Sequence, residues 1–572
     1  MKNLLLYLKE YRKQTILAPV FKLFEVVLEL TVPFIVSLII DDGIGNSDRG
    51  TVIKWCVVLC AFAAVGLGFA VTAQYFAAKA ATGFASNVRE TLFFRVQDMS
   101  HSDIDRLGAS SLITNITSDV NQMQNGLNLT LRLLLRSPFV VVGAVAACFV
   151  ISPGPALYFA LSIPLLTVII YVIMLVGVRL YGKVQTALSK MILRIRENLG
   201  GVRVLRAFGK EKDETNAFDV ENGRYVKNQL VWGRISALLN PATFVTVNLA
   251  VVAMVGAGAV KVNGGSLSTG SVVAMYNLSA MVIVELIKLA DFTINVTKAV
   301  SSAKRVSAVL DGKTGMEYPS GPAVQSGDTA IKMTGVSFGY GGENVLENIF
   351  LTVKEGQTVG IIGGTGSGKS TLAALIARYY DPSSGTVELF GADAKLYGRK
   401  QLEKMVRTVP QKAVLFSGTV RSNLCFGLDH KTDEEMIAAL KAACAHETVQ
   451  SKGGLDAKVE QSGRNFSGGQ KQRLTVAAAL LARPRILILD DSSSALDYAT
   501  DAEMRANIAN IKGMTVINIA QRISTVRNCD MIVVLDEGKI AGIGAHEELL
   551  DNCAVYKSIY DSQTEKNGED GQ

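Results

Sequence analysis

At 572 residues and 49% hydrophobic side chains, the chain is too long for one ordinary globular domain and too apolar for a wholly soluble one. Its +7 formal charge, from 58 Lys+Arg against 51 Asp+Glu, lies between apolar segments and forms no patch interleaved with aromatics, which excludes nucleic acid as a partner and suits the cytoplasmic face of a membrane. The seven cysteines (Cys56, Cys60, Cys148, Cys425, Cys444, Cys529, Cys553) are odd in number, scattered and without metal-ligand spacing, so reduced structural thiols are expected.

The start, MKNLLLYLKEYRKQ, has no short apolar core followed by a small-residue cleavage site, so no removable signal peptide is expected and the first membrane helix serves as the targeting signal. A bilayer core needs about 20 mostly apolar residues per helix. Six such stretches lie near 15–40, 52–76, 130–151, 156–181, 236–260 and 271–293. Short connections join the first to the second, the third to the fourth and the fifth to the sixth, whereas two gaps run to about 50 residues each. The long gaps hold most of the Lys and Arg (Lys79, Arg89, Arg95, Arg106; Lys183, Lys190, Arg194, Arg196, Arg203, Arg206, Lys210). By the positive-inside rule, both long connections and both termini are cytoplasmic in a multi-pass membrane protein.

Those connections read as helical extensions ending in short transverse turns, near 100–107 and 197–208, able either to transmit motion to a cytoplasmic motor or to serve as plain surface loops. Charges in the first apolar stretch (Lys22, Glu25, Glu29) and the sixth (Glu285, Lys288, Asp291) recur every three or four residues and so share one helical face each. In lipid they are expensive and must face protein or water. Two readings stand: a polar wall of a translocation cavity, with Lys22 and Lys288 the favoured substrate contacts, or ion pairs that satisfy one another.

After a Gly/Pro/Ser-bearing linker at 311–328, the composition turns to that of a soluble α/β domain. The strand-like TVGIIG leads into Gly363-Gly364-Thr365-Gly366-Ser367-Gly368-Lys369-Ser370 and then a helix opening at Thr371. Strand, glycine loop and helix in that order form a phosphate cradle: glycines aim backbone N–H groups, the helix N-terminus adds positive potential, lysine reaches the β and γ phosphates, and serine ligates Mg²⁺. Downstream, Ile486-Leu487-Ile488-Leu489-Asp490 is a buried strand ending in a carboxylate suited to Mg²⁺, directly or through water. Between them, Phe466-Ser467-Gly468-Gly469-Gln470 opens another helix, a geometry suited to a γ phosphate presented from another subunit. Tyr340 in VSFGY is placed to stack on adenine, and Gln411 in VPQ to sense Mg²⁺ or the attacking water.

Together these residues resemble the ATP-binding cassette family over nearly the whole chain: an all-α six-helix transmembrane domain (1–310), the linker (311–328), an α/β P-loop cassette (329–565) and a polar tail (566–572). The resemblance implies ATP and Mg²⁺ as cofactors, Tyr340 as the adenine-stacking aromatic, Gln411 as the Q-loop glutamine, FSGGQ as the signature and Ser494-Ala495-Leu496-Asp497 as the D-loop. It further implies exporter architecture in a bacterial inner (plasma) membrane, and two cassettes that sandwich each nucleotide between one P-loop and the other's signature. In that fold the turn near 197–208 docks on the opposite cassette. The cargo is an unspecified small molecule, peptide or lipid.

Two departures from the family pattern fall in one composite site. The residue after the Mg²⁺-binding carboxylate is normally Glu and here is Asp491, one methylene or roughly 1.5 Å shorter. A positioned general base contributes about 10² to 10⁴ in rate. The usual switch histidine is Gln521, which hydrogen-bonds but cannot titrate. With FSGGQ intact, this combination resembles the degenerate half of heterodimeric bacterial exporters, paired with a non-identical half-transporter that carries the Glu and the His. The alternatives are a homodimer with two slow sites, or an ATP-gated channel or regulatory subunit.

Overall fold

A computed structural model describes residues 4–312, 315–319 and 327–569. The expected linker and polar tail therefore fall partly outside the described residues. The chain divides into two units, one formed by residues 1–97 and 108–312, the other by 98–107 and 313–572.

In the first unit, six runs of helix among the described residues are long and apolar enough to cross a membrane: Leu6–Ile44, Arg49–Gln97, Ala109–Ile151, Pro153–Ala207, Glu211–Asn263 and Thr269–Asp311. Each contains one of the six expected stretches. The 49-residue helix Arg49–Gln97 is about 74 Å long and the 55-residue helix Pro153–Ala207 about 83 Å, against about 30 Å of hydrocarbon. The surplus length makes the extensions that the basic connections foretold. Ser268 caps the last of these helices by accepting from the amide of Ser271 at 3.2 Å, and Asp41 takes the amide of Gly270 at 2.8 Å, fixing where the chain re-enters. The interior is a cluster of Ala144, Cys148, Phe159, Met254, Met275 and Leu278.

The expected turn at 100–107 is a seven-residue helix, His101–Leu107, and it belongs to the second unit. At 197–208 the structure differs from expectation. Helix Pro153–Ala207 runs through this segment, and the chain reverses only at residues 208–210 before Glu211–Ala237 begins. The segment holds no proline, and Gly200 and Gly201 each cost a helix only about 1 kcal/mol, too little to end one of 55 residues.

The second unit is built on a six-stranded sheet in the order Lys539–Gly544, Met531–Asp536, Thr358–Gly363, Thr515–Ile519, Ile486–Asp490, Val406–Val409, parallel except at the Lys539–Gly544 edge. Strands Thr358–Gly363 and Ile486–Asp490 are continuous apolar runs, as strands covered on both faces must be. A four-stranded sheet (Leu346–Lys354, Thr329–Phe338, Ser384–Leu389, Ala392–Asp393) shares a core with it through Ile331, Val336, Ile361, Ile488 and Ile517. Ile519 pairs with both Ile361 and Asp490, so strands Thr515–Ile519 and Ile486–Asp490 end level and Thr358–Gly363 runs two residues beyond them at the carboxyl edge, where parallel α/β sheets place ligands. All seven cysteines are free thiols.

At the carboxyl end of the chain, helix Ala554–Glu569 packs through fully buried Tyr556, whose hydroxyl meets His546 Nδ1 at 2.7 Å. Burial first, then the charge of Arg527, pull the pKa of His546 down from 6.5, with Glu547 opposing. The unfolded chain takes up a proton that the folded form resists, so this contribution to stability is complete above the ordinary histidine range and declines as pH falls through it. The thermal midpoint of the cassette transition, followed by fluorescence, is therefore expected to fall between about pH 7.5 and 5.5. A His546→Gln variant loses part of that slope, and an unchanged slope would contradict the assignment.

Candidate functional site

The glycine loop leaves the central strand at Gly363 and turns into helix Lys369–Ile376. Gly368, the N-cap, adopts φ +95°, a left-handed conformation costly for any residue with a Cβ. That turn folds Lys369 back over its own loop, with Nζ donating to the carbonyls of Gly363 at 2.9 Å and Gly364 at 2.6 Å. Burial pulls the lysine pKa down, while the charges of Asp491 and Asp490 oppose the shift. The loop and its neighbours enclose a 290 Å³ cavity lined by Lys369, Ser370, Gln411, Asp490, Asp491 and Gln521 among others. Six residues from four separate segments of sequence thus converge on one space, within reach of a triphosphate.

Ser370 donates to Asp490 Oδ1 at 3.1 Å. Burial raises the pKa of Asp490, the Ser370 bond and Lys369 oppose, and Asp491 reinforces the rise. Among the described residues no group of three or more His, Cys, Asp or Glu is placed to hold a metal unaided. A hydroxyl and one carboxylate are nevertheless the hard oxygen donors Mg²⁺ takes when phosphates and water fill its remaining positions, so the residues fit that ion. Bound there, Mg²⁺ would neutralise phosphate charge.

Asp491 sits at φ +46°, a region Asp tolerates better than most residues. Its amide donates to Ile519 at 2.9 Å, which extends the parallel ladder one residue. Its carboxylate accepts from Gln411 Nε2 at 3.0 Å. The Q-loop position and the departure from Glu are therefore directly bonded.

Tyr340 is 56% exposed, its ring edge-on to Phe338 and Tyr380 and its hydroxyl 3.2 Å from Thr371 Oγ1. Tyr380 in turn donates to Asp105 of helix His101–Leu107, and His101 stacks on Tyr379 with ring centroids 4.4 Å apart. Sequence reasoning missed both tyrosines, which follow the P-loop helix without a motif of their own.

The signature segment lies apart from this cavity, with Ser467 as N-cap of helix Gly468–Leu481. Ser467 and Gln470 form a reciprocal capping box, with Ser467 N donating to Gln470 Oε1 at 3.0 Å. A Cβ on Gly469 would approach the Ala495 carbonyl to 2.7 Å, so the D-loop rests directly on the start of the signature helix. Asp497 caps helix Tyr498–Ala509 through the amide of Thr500. Phe466 is buried beneath the signature.

In the membrane unit, five of the six charges singled out meet around a residue that sequence reasoning missed. Arg136, its side chain 8% exposed, contacts Glu25 at 2.8 Å, Glu29 at 2.9 Å and Glu285 at 3.3 Å. Ser137 donates to Glu285 at 2.8 Å, Lys22 pairs with Glu25 at 2.6 Å and Lys288 with Glu285 at 2.8 Å. Three cations and three anions thus cancel. Asp291 is exposed and takes no part in this network. The lone basic residue opening an apolar run, Arg136 in RSPFVVV, was the available signal.

Replacing Lys369 with Ala removes a charge-assisted contact to phosphate, and the affinity for a fluorescent ATP analogue is expected to drop about 10- to 100-fold. Retained affinity would contradict the site. Arg136→Leu leaves three carboxylates facing two lysines, and since Glu29 reaches solvent a loss near the lower bound of about 3 kcal/mol is expected in detergent unfolding. An unchanged unfolding midpoint would show that the network is not a brace.

The sequence matches the family described as ABC transporter transmembrane region over residues 15–286 and that described as ABC transporter over residues 346–494. An uncharacterized ABC transporter ATP-binding protein of Mycobacterium tuberculosis (strain ATCC 25618 / H37Rv) is 33% identical over 98% of this chain and 97% of its own length. The uncharacterized ABC transporter ATP-binding protein YfiB of Bacillus subtilis (strain 168) is 31% identical over 100% of both. Among solved structures, a bacterial Atm1-family ABC exporter with ATP bound superposes with a TM-score of 0.81 at 24% identity, covering 96% of this chain and 98% of that one.

Proposed function

Because the chain belongs to the ABC transporter family, with a membrane domain and its own cassette, we propose that it is one half of a nucleotide-driven exporter whose own P-loop site holds ATP and hydrolyses it poorly. The observation that carries this reading is the 3.0 Å bond from Gln411 to Asp491. The carboxylate, one methylene shorter than that of Glu, is engaged by the Q-loop amide, which leaves it less able to serve as the general base. Gln521 lines the same cavity and brings no titrating group to it.

Lys369 and the loop amides bind and orient the phosphates, Ser370 and Asp490 supply the oxygens for Mg²⁺, and Tyr340 offers its open face to adenine. The signature at Ser467–Gln470 is intact and completes the site of a second, non-identical half-transporter carrying the Glu and the His. ATP binding closes the two cassettes, opens the membrane cavity outward and releases cargo. Hydrolysis at the partner's site resets the inward-facing state. A slow site that keeps its ATP biases the pair toward the closed form while the other site turns over.

The termini and the basic extensions lie on the cytoplasmic side. In the membrane, the charge network around Arg136 braces the helices, and its more exposed members, Glu29 and Lys288, are the ones offered to cargo.

Purified alone, the chain is expected to turn over ATP near background, and Asp491→Glu combined with Gln521→His to raise turnover about 10²-fold or more. The half-transporter recovered with the tagged chain from its native membrane is expected to carry Glu and His at those positions. Full-rate hydrolysis by the unaltered chain, or recovery of copies of itself only, would overturn the asymmetric reading.

A further inference from the structure

Beyond Gln521 the chain enters a helix of only four residues, Ile523–Val526, whose N-cap Arg522 provides no side-chain bond. The first amide of so short a helix and a carbonyl just past a strand end are backbone groups that need partners. One side chain from a distant helix takes both. Gln563, in helix Ala554–Glu569, accepts from the amide of Ile523 at 2.9 Å through Oε1 and donates through Nε2 to the carbonyl of Gln521 at 2.8 Å. A carboxamide offers an acceptor and a donor side by side, which neither carboxylate nor alkyl can reproduce.

The position of Gln563 is itself fixed. It lies seven residues, two helical turns, beyond Tyr556 and so shares its face. Tyr556 is fully buried against Ile362, Ala520 and Ile523, residues that precede the glycine loop and flank Gln521. The far end of the four-residue helix is held from another side, where Arg505 donates to the carbonyls of Ser524 at 2.9 Å and Thr525 at 2.8 Å.

We infer that Gln563 is a positioning residue of the nucleotide site, clamping the backbone across Gln521 to Ile523 so that the Gln521 side chain stays in the phosphate cavity. The C-terminal helix thereby sets how firmly this chain holds nucleotide. The inference rests on the reading that the chain's own P-loop site binds ATP, and it is independent of how fast that site hydrolyses.

The test uses the full-length protein, with amide hydrogen exchange of residues 520–524 and binding of a fluorescent ATP analogue as readouts. Gln563→Ala is expected to accelerate exchange in that segment and weaken analogue binding, each about three- to tenfold. Gln563→Glu, which keeps the acceptor but loses the donor, restores protection at Ile523 without restoring affinity. Because Gln563 acts through Gln521, adding Gln563→Ala to Gln521→Ala costs no further affinity. Unchanged exchange, or losses that add in the double variant, would overturn the clamp. Should Gln563→Ala fail to fold, Gln563→Glu alone carries the comparison. Full-rate hydrolysis by the unaltered chain sinks the impaired-site reading and leaves the clamp standing.

Discussion

The ammonium of Lys369, folded back onto the carbonyls of Gly363 and Gly364, is the point to which the rest of the cassette is referenced. It is there because Gly368 makes a turn that a side chain would strain, and because the strand beneath is locked into a parallel sheet on both sides. In that sheet the strands ending at Ile519 and Asp490 finish level and the one ending at Gly363 runs two residues beyond them, so the glycine loop, Asp490 and Gln521 arrive within one cavity. None of these groups is close to the others in sequence. Their meeting is a consequence of strand order.

Against that frame of fixed backbone, chemistry is adjusted by single side chains. Asp in place of Glu at 491 suits a left-handed backbone position and reaches Gln411 instead of extending further into the cavity. Gln in place of His at 521 keeps hydrogen bonding and abandons titration. In the reading proposed above, the retained elements bind and the altered ones belong to the chemical step. The membrane unit follows a similar economy of charge. Six ionised groups in an apolar setting are tolerable because Arg136 ties two helices to a third and the sum is zero.

The cassette motifs were legible in sequence because each is a local backbone device: glycines for a tight turn, a serine cap, a carboxylate after an apolar strand. The six membrane segments were legible because length and apolarity are nearly sufficient in lipid. What escaped is long-range. Arg136 takes partners 107 and 149 residues away, so its position at the start of an apolar run gave no hint of them. Tyr380 and its contact to Asp105 span 275 residues, and Gln563 meets the Gln521 carbonyl across 42. The reversal falls at residues 208–210, at the far end of the 197–208 segment, because the helix ladder of Pro153–Ala207 continues through that segment.

The central claim, that this chain's own P-loop keeps its ATP intact while a partner site turns over, is tested most directly by the fate of the γ phosphate. The assembled transporter is incubated with azido-ATP labelled at either the α or the γ phosphate, photolysed during turnover, and the label on this chain is compared. Equal α and γ labelling is predicted, since the bound nucleotide is unhydrolysed. Label retained from the α phosphate and lost from the γ would show that Asp491 and Gln521 support hydrolysis at this site.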